Sequence, residues 1–176
     1  MGTSYVEVSD QGFWMRDSIL ELWMRLVALH MEEPTKDDSV IRRIRDQWLL
    51  GSRGYFNGCI PIDLNEDVSS DAGRKLITNA INSVLKQLAQ APDTLDKDVL
   101  NLLGIDSGSF TKNIETWRLV EVGEAFLALI DGKITGTAES TEFMPGCRDK
   151  PNSHGHSTFN PQSKPRSRSG VGGLRR

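Results

Sequence analysis

The sequence predicts an all-α fold: a single compact domain of about five helices over residues 1–147, then a disordered basic tail over residues 148–176. Three observations carry that expectation. Apolar residues recur at three- and four-residue spacing through several long segments, the period of a helix with one buried face. Ser, Thr or Asp precedes most of these segments and Gly or Pro follows them, which is the chemistry of helix starts and stops. From Arg148 the period ends, and three Pro, four Gly and five Ser occupy 12 of the last 29 positions, too little apolar material to offset the entropy of ordering them.

Taken in order, Tyr5 to Val8 reads as a short extended piece, and the first helix is expected from about Gln11 to His30 with Ser9 or Asp10 as its cap. Ile19, Leu22, Trp23, Leu26 and Leu29 form an apolar face. Met15, Leu20, Met24 and Val27 widen it until only Arg16, Asp17, Glu21 and Arg25 stay polar, so the helix is expected at the centre of the molecule. Trp14, Met15 and Met24 at such spacing are core rather than the lining of a pocket, and His30 stands apart from any other His or Cys.

Residues 41–62 hold the densest mixture of charge, aromatics and glycine. Ile41, Ile44, Trp48 and Leu49 fall at helical spacing, with Arg42, Arg43, Arg45 and Asp46 between them. Ser39 is the expected cap, Asp37 and Asp38 suit the positive end of the helix, and Gly51 stops it. Two readings of the turn compete. In one, Arg42, Arg45, Arg53, Tyr55 and Asn57 receive an anion such as a phosphate or carboxylate. In the other, Gly51, Gly54 and Gly58 let two helices cross closely while Tyr55, Phe56, Ile60 and Ile62 fill the core. The crossing is preferred, because a site needs converging polar groups. The glycines match neither a P-loop nor a dinucleotide fingerprint.

Glu32, Glu33, Asp37 and Asp38 gather around Pro34, either as an acidic patch for a basic partner or as a solvated loop. A second acidic connector, Asp63, Glu66, Asp67 and Asp71, leads to a cap at Ser69 or Ser70. The next helix is the clearest of all, with Leu76, Ile77, Ala80, Ile81, Val84, Leu85 and Leu88 on one face and Pro92 beyond its end. A short helix over about Leu95 to Leu103 follows, capped by Asp93 or Thr94 and closed by Gly104. Asp93, Asp96 and Asp98 lack the glycine and closing Glu of a calcium loop. The last long helix is expected over Lys112 to Asp131, with Ile114, Trp117, Val122, Phe126 and Leu129 or Ile130 inward and Gly132 as its stop. Glu121 and Glu124 on it have no Glu-x-x-His partner of the di-metal kind and read as surface. Residues 133–147 should wrap back over the body through Ile134, Phe143 and Met144.

Charge divides the chain. Residues 148–176 carry +6 and the whole chain −3, which leaves −9 on residues 1–147. An acidic body repels nucleic acid, so only the tail suits that class of partner, and a basic protein partner is favoured. Cys59 and Cys147 match no metal spacing and are expected to be reduced, while His154 and His156 alone make a poor metal site. No metal, cofactor or catalytic residue is nominated. No export signal or myristoylation start is legible, and the apolar run at residues 126–130 is far short of a membrane span of ~20 residues, so a cytoplasmic location without a membrane partner is expected.

Two function classes follow. The first is a small acidic interaction protein that binds and blocks a protein partner, immunity- or antitoxin-like in character though not in sequence. The second is a helical ligand-binding or enzymatic domain with an anion site at the turn over residues 42–58. They differ in whether the arginines converge on a concavity or spread over a convex surface.

Overall fold

A computed structural model describes residues 2–31, 39–53, 62–103 and 110–147. The all-α expectation fails at the start of the chain. Strand β1 (Thr3–Val8) pairs antiparallel with β2 (Gln11–Arg16) in a register running from Thr3↔Arg16 to Val8↔Gln11. The two-residue turn between them places Ser9 at φ 52° and Asp10 at φ 64°, the backbone of a tight hairpin whose twist matches its strands. What read as a helix cap is a hairpin turn. Phe13 and Met15 point into the core, while Trp14 faces the other way onto Tyr5 with ring centroids 5.2 Å apart. That is period two. The run Phe13-Trp14-Met15 is bulky enough to satisfy either period, and pairing with Tyr5 and Val6 decides it.

Helix α1 (Asp17–Leu29) therefore begins six residues later than expected. Leu20, Leu22, Trp23, Met24, Val27 and Ala28 are buried, whereas Leu29 is exposed. Asp17 and Glu21, read as part of a solvent stripe, are buried too, and Ser4 Oγ donates to Asp17 Oδ1 at 2.8 Å. Helix α2 (Ser39–Gly51) packs on α1 and buries Ile44, Trp48 and Gly51. Strand β3 (Ile62–Asp63) adds parallel to β1, giving a sheet in the order β2-β1-β3.

Helix α3 (Asn65–Val68) is a single turn that leads into α4 (Asp71–Leu88). Ser70 caps α4 by accepting from Gly73 N at 3.1 Å, and Leu76, Ile77, Ala80, Ile81, Val84 and Leu88 lie inward as their spacing requires. The expected helix over Leu95 to Leu103 is shorter. Strand β4 (Thr94–Leu95) pairs with β5 (Ile114–Glu115), and between them α5 (Lys97–Asn101) is capped by Asp96, which accepts from Asp98 N and Val99 N. Helix α6 (Thr116–Ile130) starts only after β5, because that pairing consumes the residues assigned to its first turn. Gly132, at φ 69°, ends it, with Lys133 N donating to Ala128 O at 2.8 Å.

Phe126 of α6 is where the layers meet. Its ring lies 5.4 Å from Phe13 on the sheet, 5.9 Å from Trp23 on α1 and 6.2 Å from Trp48 on α2. One core results. Residues 133–147 then run along the free edge of β2, where Gly12 N donates to Gly136 O at 2.7 Å and Trp14 N to Phe143 O at 3.1 Å. Arg118 Nη1 and Glu121 Oε2 hold Gly146 by its carbonyl and its N–H. The segment satisfies backbone groups that an open edge would leave to water or to another chain.

Candidate functional site

Helix α2 carries the arginines, and its two sides do different things. The inner side lies against α1: a Cβ on Gly51 would sit 2.5 Å from Met24 Cε, the end of a flexible side chain that can step aside. Next to that contact Arg25 Nε donates to Ser52 Oγ at 2.9 Å, and Ser52 Oγ donates to Leu49 O at 2.7 Å.

One flank is a charged clamp. Trp48 Nε1 donates to Asp67 Oδ2 at 3.0 Å, and Arg43 Nη1 lies 3.4 Å from Asp67 Oδ1 and 3.2 Å from Glu66 Oε1. Gln47 Oε1 accepts from the same Arg43 nitrogen at 3.2 Å. Asp67 is buried, and burial pushes its carboxyl above the ordinary value of 3.8, with the Trp48 hydrogen bond and the Arg43 charge opposing. Arg43 therefore ties α2 to α3 rather than belonging to a solvated basic face. The sequence offered no sign of this: Asp67 stands 19 residues from Trp48, and acids before a helix have a sufficient local explanation.

The outer side is different. Arg42 and Arg53 are exposed and make no ion pair among the described residues, and Arg45 is half-buried with no hydrogen bond to its Nε. Ser52 N donates to Trp48 O and Arg53 N to Leu50 O, so the helical path continues to Arg53. At 1.5 Å per residue, Arg42 and Arg53 lie roughly 16 Å apart along the axis. No small anion bridges that distance. Tyr55, Asn57, Glu32, Glu33, Asp37 and Asp38 lie outside the described residues; of the expected anion cluster the described members are Arg42 and Arg45 on α2 and Arg53 in the turn after it.

Other chemistry-bearing groups are structural or scattered. Glu7 is pushed up by burial and by the neighbouring charges of Asp63 and Asp10, at the hairpin's end. Burial raises the Cys147 thiol, with Arg16 and Arg118 opposing. Glu121 accepts from Gly146 N at 2.7 Å while Glu124 is exposed. Among the described residues no group of three or more His, Cys, Asp or Glu is placed to hold a metal ion, and no helix is long and apolar enough to cross a membrane. No protein-family model, curated protein or solved structure matches the chain.

Proposed function

We propose that the chain is an interaction protein that binds and blocks a protein partner. One observation supports it above the enzymatic alternative: Arg42 and Arg53, both exposed, stand roughly 16 Å apart along the path of α2 and the turn that follows it. A small ligand is recognised by groups that surround it; a protein surface is recognised by groups that spread. The excess of acid in residues 1–147 adds that the partner is basic overall and that nucleic acid is disfavoured for the body.

The test is crosslinked affinity capture with the tagged full chain in its native cells, followed by titration with the purified candidate. A stoichiometric complex whose affinity falls with added salt supports the reading. The alternative, an anion-binding or enzymatic domain, makes the opposite forecast. Inorganic phosphate would stabilise the chain, Arg42→Gln with Arg53→Gln would abolish that effect, and no protein would be captured.

A further inference from the structure

We infer that the outward stripe of α2 docks an acidic segment, carrying a large apolar side chain, of the otherwise basic protein partner. The inference rests on the interaction reading above and names the surface and its complement.

With 3.6 residues per turn, Arg42, Asp46 and Leu50 fall within an arc of roughly 80°, opposite the buried Ile44 and Gly51, and Arg53 follows in the turn after the helix. All four are exposed, and Leu50 is a leucine left 45% open to water. The stripe thus reads Arg, Asp, Leu, Arg along its length. Arg45 flanks it. Counting Arg42, Arg45 and Arg53 against Asp46, the face is net positive on a body that is net negative, and none of these arginines is in an ion pair among the described residues. Arg43, the one arginine of the helix that is neutralised, is held by Glu66 and Asp67 on the neighbouring helix. Among the described residues, acids meet Arg43 and none meets Arg42, Arg45 or Arg53.

Charge complementarity selects the occupant. Guanidinium groups take carboxylates through paired N–H donors, and two arginines about three helical turns apart match carboxylates on an extended or helical segment rather than one ion. Leu50 between them supplies the desolvated centre that such contacts need, with the arginines as its charged rim. A polynucleotide would meet the same arginines but offers Leu50 no aliphatic side chain to pack against.

The probe is a synthetic peptide with Glu and Leu at helical spacing, added to the isotopically labelled full chain and followed by amide shifts. The shifts are expected to cluster between Arg42 and Arg53 and to shrink as salt is added. Leu50→Ser, or Arg42→Gln with Arg53→Gln, should each weaken the peptide about tenfold while circular dichroism stays that of the parent. Shifts centred elsewhere, equal binding by the Leu50→Ser chain, or equally tight binding of single-stranded DNA of the same charge would each overturn the inference. Failure here with a captured partner seated on another surface leaves the interaction reading standing; failure of both experiments removes both.

Discussion

At the scale of single residues, the balance turns on Asp67. A carboxylate with side-chain exposure of 3% is held by one indole N–H and one partly exposed guanidinium, so it is expensive to keep charged. Trp48→Phe keeps the ring in the core but removes the donor, and should cost about 1.5–3 kcal/mol, the range for a hydrogen bond to a charged group. Urea unfolding reads that loss. Because burial holds the Asp67 carboxyl above its ordinary 3.8, the folded state binds its proton more tightly than the unfolded state does. Its contribution favours folding fully in acid below that value and is lost as the pH climbs through the raised one. Asp67→Asn, which retains an acceptor for Trp48 Nε1, is therefore expected to match or exceed the parent's stability at neutral pH, with the gap closing in acid. A variant clearly weaker at neutral pH would show that the Arg43 ion pair outweighs the burial. None of this pairing was legible beforehand, since side-chain partners on different helices leave no trace in spacing.

Among the elements, helices were the readable part. The face of α4 follows its spacing because six of its apolar positions, from Leu76 to Leu88, meet one core and its polar positions meet water. The hairpin was not readable, for a physical reason: Phe13, Trp14 and Met15 are all large and apolar, so they mark burial without fixing a period, and the Ser9–Asp10 turn lacks the glycine that usually announces it. The strand that replaces the expected first turns also encloses Asp17, to which Ser4 of β1 donates. Gly12 tests the hairpin directly. A Cβ there would fall 1.9 Å from Val6 O, a backbone atom that cannot step aside, so Gly12→Ala should cost at least about 2 kcal/mol, as overpacked sites do. A neutral effect in thermal melts would mean the strands do not pair in this register.

Across the whole molecule, the sheet, α1, α2 and α6 share one core around Phe126, and the segment over residues 133–147 closes the sheet's edge. Trp23→Ala and Ile81→Ala, both at fully buried positions on different helices, should each cost about 2–5 kcal/mol in chemical denaturation. Such a body can carry a surface whose charges are spare to the fold, and the outward arginines of α2, which make no ion pair among the described residues, are the surface we propose. The spread of Arg42, Arg45 and Arg53 could not be read from the sequence, because convergence depends on the path after Gly51 and on which arginine finds a buried acid. The most direct test compares urea midpoints for Arg42→Gln, Arg53→Gln and Arg43→Gln. Arg42→Gln and Arg53→Gln should stay within about 0.5 kcal/mol of the parent, as unpaired exposed charges do. Arg43→Gln, which withdraws the counter-charge from buried Asp67 but is itself 38% exposed, should lose about 1–2 kcal/mol. A loss at Arg42 or Arg53 as large as that at Arg43 would contradict the account, because the outer arginines would then be holding the fold.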